Sequence, residues 1–137
     1  MMDPRAEAER WLVQASIDLD DAKYLAEGRR YSLACFSSQQ AAEKAVKAFL
    51  YARGAETVFG HSVGDLCARA EALDKRFGEY GLDAAFLDRF YVPTRYPNGL
   101  PGGIPGRAFR AKDAKETLAA ASRILALSRK AMERASE

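Results

Sequence analysis

One histidine, one tryptophan and two cysteines are all that 137 residues hold of those types. Each scarcity closes a class of function. Cys35 and Cys67 are too few for a disulfide scaffold, which points to a reducing cytoplasm. Together with His61 they fall short of the four ligands of a structural zinc site, so no metal is expected. A lone histidine also excludes any mechanism that needs two. No apolar run approaches the roughly 18 residues of a membrane span. The N-terminal MMDPRAEAER lacks the apolar core of a signal peptide. There is no Gly-rich phosphate loop after a strand, no Ser-His-Asp set and no paired-carboxylate motif. Classical nucleotide-hydrolysing folds and a bound cofactor are therefore not expected.

The length fits one domain, residues 1–137, large enough to bury a core without staples. A net charge of +2 is too small to indicate nucleic acid by itself. Its distribution says more. Residues 1–28 carry three basic and seven acidic side chains, net −4. Residues 89–137 carry ten basic and four acidic, net +6. The asymmetry suits head-to-tail docking or an anionic partner at the C-terminal half. Equally, the two segments could be neighbours that neutralise each other.

Apolar residues at steps of three and four predict helices throughout. Helix one runs from about Pro4 to Glu27, capped by Asp3 and stopped at Gly28. Trp11 falls on its core stripe. Helix two spans about Ser32–Ala52, with Leu33, Phe36, Ala41, Ala45, Ala48 and Phe49 on its stripe and Gly54 as its stop. Its alanines permit close approach of another helix. Helix three covers Val63–Phe77, with Ser62 and Asp65 resembling a capping box. Helix four covers Asp83–Tyr91, and helix five Ala111–Ala135. Residues 92–106 hold four of five prolines and four of ten glycines, which no helix or central strand is expected to survive. The fold class is thus all-α: an up-and-down bundle of about five helices with a Pro/Gly-rich loop before the last.

Such a loop is functional or disordered more often than not. It carries Arg95, whose planar fork suits phosphate or carboxylate, and Tyr96, whose ring can stack on a base. Arg107 and Arg110 add positive charge nearby. The plainer reading pairs Arg95 with an acid of the bundle such as Glu43. His61 stands at the entrance to helix three. There the helix dipole favours neutral imidazole, a possible general base, and free N–H groups could hold a phosphate. On helix two, Gln40, Glu43, Lys44 and Lys47 line one side. The glutamine pair Gln39 and Gln40 suggests buried hydrogen bonding to a loop or a second chain, whereas Glu43–Lys47 also fits a routine surface pair. Cys35 and Cys67 read as small buried hydrophobes.

The stretch Ala34-Cys35-Phe36-Ser37-Ser38-Gln39-Gln40-Ala41-Ala42-Glu43-Lys44-Ala45-Val46-Lys47-Ala48 resembles the signature helix of the HEPN domain (higher eukaryotes and prokaryotes nucleotide-binding). Trp11, Ala15, Asp18, Leu19, Ala22 and Leu25 fit that family's first helix. Gly60-His61-Ser62 with Leu66 fits its third, Thr94-Arg95-Tyr96-Pro97 its loop, and Asp113-Ala114 the opening of its last helix. The resemblance implies a helical bundle that works as a homodimer. It also implies a minimal nucleotidyltransferase partner in a toxin–antitoxin-like pair. Many such proteins are metal-independent RNases with an arginine four to six residues before a histidine. This chain departs from that motif. Arg53 precedes His61 by too many residues, and Val63 stands where a related motif has tyrosine.

Three functions follow. The first is a homodimeric module contacting a nucleotide or RNA through Arg95, Tyr96, His61, Gln40, Lys44, Lys47, Arg53 and Arg107. The second is an RNase in which His61 activates a 2′-hydroxyl and Arg53 or Arg95 stabilises the developing charge. The third is a helical dimerisation adaptor without a small ligand.

Overall fold

The computed structural model describes residues 3–133. Helix α1 (Pro4–Glu27) has the bounds its local signals dictate. The Asp3 carboxylate accepts from the Ala6 N–H at 3.2 Å, and Pro4 fills a first-turn position whose N–H would have no partner. It stops at Gly28 as expected, but the left-handed turn falls one residue later. Gly28 has an ordinary φ of −82°, and the left-handed residue is Arg29 at 62°. The Arg30 N–H then reaches the Leu25 carbonyl at 2.8 Å, and Arg29 reaches Ala26 at 3.1 Å, the paired bonds of a Schellman turn.

Helix α2 (Tyr31–Ala52) returns antiparallel to α1. Ala8, Ala15 and Ala22 of α1 are fully buried, as are Ala41, Ala45 and Ala48 of α2. Small residues on both sides let the two backbones approach closely. Leu33, assigned to the buried stripe by spacing, is 45% exposed. Gly54, at φ +96°, closes α2 as expected.

Helix α3 (Val63–Glu71) is shorter than the periodicity predicts. A separate 3-10 helix, Lys75–Tyr80, follows it and presents Phe77 to the core. Helix α4 (Gly81–Asp88) also ends earlier than expected. The Pro/Gly-rich segment is built rather than irregular. It contains a 3-10 turn at Pro97–Gly99 and a one-turn helix, α5 (Pro105–Ala108). Proline sits at the first turn of both, where its missing N–H costs nothing. Gly99 packs so tightly that a Cβ there would lie 3.0 Å from the Pro93 Cα. The five expected helices are all present, and the one-turn α5 makes six α-helices among the described residues.

Helix α6 (Ala111–Met132) completes a three-helix layer with α1 and α2. The predicted end at Ala135 lies outside the described residues. Arg5 donates to the Met132 carbonyl at 2.8 Å, and Arg129 to the Ser16 hydroxyl at 2.8 Å, so α1 and α6 run antiparallel. Arg123 grips Asp83 with two bonds of 2.8 and 2.9 Å, tying α6 to α4. The expected mutual neutralisation is not found. Among the described residues, no ion pair joins an acid of 1–28 to a base of 89–133.

Both cysteines are buried as expected. Burial pushes the Cys35 thiol up to about 11 and the Cys67 thiol up to about 12. Neither is a nucleophile at neutral pH. No described helix is long and apolar enough to cross a membrane.

Candidate functional site

The site grows from one stripe of α2. Phe36, Gln40, Glu43 and Lys47 recur at steps of four, three and four, so they face the same way. Each supports a different piece. Glu43 is the hub. Its Oε2 meets the Lys47 Nζ at 3.1 Å. Its Oε1 receives Gln40 Nε2 at 3.3 Å and Gln39 Nε2 at 3.5 Å, and faces His61 Nδ1 at 3.3 Å. The Glu43 and Lys47 side chains are only 4% and 6% exposed, which corrects the reading of a solvated surface pair. Lys47 also lies 5.5 Å from the centre of the Trp11 ring. Trp11 is half-buried and stacked on Tyr51, not fully in the core.

His61 is exposed but held on several sides. A carboxylate can only accept, so the contact to Glu43 puts the ring proton on Nδ1. In the neutral ring Nε2 then carries the lone pair, and it has no partner among the described residues. The ring stacks on Tyr91, with centres 4.8 Å apart and planes 17° from parallel. The His61 carbonyl accepts from Gln39 Nε2 at 2.8 Å. The buried glutamine that bonds this segment is thus Gln39, not Gln40. Gln40 is half-buried and donates to Gln39 Oε1 at 2.8 Å.

The segment after His61 is fixed from α4. Asp88 accepts from Ser62 Oγ at 2.7 Å, the Val63 N–H at 2.6 Å and the Gly64 N–H at 3.0 Å. Ser62 Oγ accepts from the Asp65 N–H at 3.0 Å. These bonds consume the first N–H groups of α3. The expectation of a free phosphate cradle there is overturned, because Asp88 is the anion that fills it. Asp88→Ala is expected to cost about 1–2 kcal/mol in urea unfolding, the size of a lost N-cap. It should also broaden or shift the His61 ring resonances, because the Ser62–Gly64 segment is freed. A loss under about 0.3 kcal/mol would show that the clamp holds nothing.

Three residues beyond Asp88, Tyr91 supports His61, and four beyond that Arg95 stacks on Tyr91. The Arg95 guanidinium carbon is 4.2 Å from the Phe36 ring centre, 4.6 Å from Tyr91 and 5.1 Å from Tyr96. Its Nε donates to the Tyr91 carbonyl at 3.0 Å. It does not pair with Glu43 or any other described acid, contrary to the plainer expectation. Stacking engages the face of a guanidinium, and with Nε on the Tyr91 carbonyl the two terminal nitrogens are left for an anion. Thr94, 2% exposed, pins the turn by donating to the Phe90 carbonyl at 2.6 Å. Tyr96 is half-exposed at 52%.

The other anticipated residues lie apart. Lys44 pairs with Asp18 at 2.6 Å. Arg53 donates to the Leu73 carbonyl at 3.3 Å and covers Phe49. Arg107 sits in α5, lining a shallow hollow with Gly103 and Ile104. Among the described residues, neither Arg53 nor Arg107 contacts His61 or Arg95. Sequence reasoning misses Phe36, Asp88 and Tyr91 as parts of the site. Only the placement of Tyr91 one helical turn before Arg95 gives a local signal. Among the described residues, no group of three or more His, Cys, Asp or Glu could hold a metal ion.

A family model described as the HEPN domain matches residues 8–131. Three solved structures are similar over most of the chain. TT1696 from Thermus thermophilus is 38% identical, with TM-score 0.84, covering 90% of this chain and 97% of that one. ST0689, an archaeal HEPN homologue, is 39% identical, with TM-score 0.77, covering 92% and 98%. An HEPN domain protein from Thermotoga maritima, tm0613, is 32% identical, with TM-score 0.74, covering 92% and 99%. No curated protein matches.

Proposed function

The chain belongs to the HEPN domain family, and on that footing we propose that it is a nucleotide- or RNA-contacting module of the cytoplasm. In this reading it works as a homodimer beside a minimal nucleotidyltransferase, in a toxin–antitoxin-like pair. The partner, the dimer and the pairing rest on the family relation. The contact rests on one observation. Arg95 is stacked on Phe36 and Tyr91, its Nε held by the Tyr91 carbonyl and its two terminal nitrogens uncommitted among the described residues, on the same ring that supports His61. A fork already held in place loses little entropy on meeting a phosphate, so less of its attraction is spent on ordering.

Calorimetric titration with nucleoside triphosphates and with short single-stranded RNA tests it. Wild type should give saturable heat, and Arg95→Ala should weaken binding about tenfold or more. Arg95→Lys should fail to restore it, because an ammonium lacks the planar fork. Binding unchanged in Arg95→Ala would remove that residue from the site.

The His61–Glu43 contact supports a second reading, metal-independent RNA cleavage. A ring with its proton on Nδ1 and an open Nε2 is arranged to accept a 2′-hydroxyl proton. Cleavage in EDTA that is lost in His61→Ala would establish it. Intact RNA with wild type, His61→Ala and Arg95→Ala alike would leave the binding reading alone.

A further inference from the structure

The outward face of α1 is apolar along its middle and acidic along its edges. At 100° per residue, Ala6, Val13, Ile17 and Tyr24 fall within about 40° of one line. The three larger side chains are 56%, 47% and 78% exposed. Glu9, Asp20 and Glu27 form one edge; Asp21 borders the other, beside Arg10, which pairs with Glu7 at 3.2 Å. None of these four carboxylates has a basic partner among the described residues. Beside the line lies a groove of about 670 Å³, with Glu9, Arg10, Trp11, Val13, Gln14 and Lys44 in its walls.

An exposed apolar line on a helix marks a surface that something covers. Charge decides what covers it. In an antiparallel pairing a second copy of the same face would set Glu9, Asp20 and Glu27 against their own copies, and in a parallel one Asp20 would face Asp21; the face carries four acids against the single base Arg10. Like charges across such edges oppose pairing. Among the described residues the basic segment does not neutralise these acids, as the ion pairs show. We propose that this face of α1 docks a protein partner presenting an apolar groove or helix with a lysine- and arginine-rich rim. The mode is helix against groove, with Val13, Ile17 and Tyr24 as anchors. It is independent of the His61–Arg95 site.

Trp11, the only tryptophan, lines the adjoining groove and reports the event. The probe is a synthetic amphipathic helix of leucine and lysine, with its leucine–glutamate counterpart as control. Wild type should show a saturable change in Trp11 emission with the lysine peptide only, weakened by salt. Ile17→Asp, at an exposed position that leaves the circular dichroism melt unchanged, should lower the affinity about tenfold or more. Asp20→Lys with Asp21→Lys should reverse the preference toward the glutamate peptide. Equal response to both peptides, no response, or binding indifferent to Ile17→Asp would overturn the proposal. So would sedimentation showing that wild-type copies associate through this face and that Ile17→Asp alone separates them.

Discussion

Glu43→Gln is expected to lower the unfolding free energy by about 3–5 kcal/mol, the cost of stranding a buried charge. The amide keeps the shape of the side chain but not its anion. Lys47, 6% exposed at its side chain, would keep its ammonium with no counter-charge within reach. For a domain whose whole stability is about 5–15 kcal/mol, that is roughly a fifth or more. The melting temperature should fall by roughly 10–15 °C at this chain length. The double variant Glu43→Gln with Lys47→Met removes the stranded cation and should recover most of the loss, a coupling that a double-mutant cycle measures directly. A Glu43→Gln loss below about 1 kcal/mol would return the pair to the solvated category that i,i+4 spacing alone suggests. The buried pair is not there because ion pairs stabilise cores, since an apolar replacement does as well or better. What it supplies is a fixed carboxylate beneath an exposed histidine.

That carboxylate also marks where sequence reading stops. The stripe carrying Gln40, Glu43 and Lys47 is legible, because helical spacing is local. Depth is not. Gln39 and Gln40 differ by about 100° on the helix, and only the neighbouring segment 58–64 decides which one turns inward. Helix α1 is legible to the residue, since Asp3, Pro4 and the apolar steps lie within the element itself. Asp88 is not legible at all. It caps α3 from 24 to 26 residues away in sequence, and nothing in its own helix announces that role. Arg95 is legible as a fork in a loop, but its stacking partners Phe36 and Tyr91 come from two different elements. The loop itself misleads for a simple reason. Proline breaks a helix interior but starts a helix well, and Pro97 and Pro105 stand at starts.

Phe77→Ala is expected to cost about 3–5 kcal/mol, the loss typical of a fully buried phenyl ring. Phe77 is 0% exposed, as is Phe49, and their ring centres are 4.6 Å apart. Periodicity places Phe77 on the same helix and stripe as Leu73. The structure separates them. After α3 ends at Glu71, the Asp74 side chain accepts from the Arg76 N–H at 3.1 Å and opens a tighter 3-10 turn. That turn swings Phe77 inward and leaves Leu73 45% exposed. The two residues therefore make a paired test by urea unfolding. Leu73→Ala should cost under about 0.5 kcal/mol, as exposed substitutions do, while Phe77→Ala costs several. Equal losses would restore one continuous helix over Val63–Phe77. The Phe77 loss should also reach the site. The 3-10 turn leads directly into α4, and α4 carries the Asp88 carboxylate that fixes the segment after His61. Loosening Phe77 while Arg95 keeps its stacking partners should therefore disturb the His61 ring signals more than nucleotide affinity. That order would separate the clamp on the histidine from the fork that holds the anion.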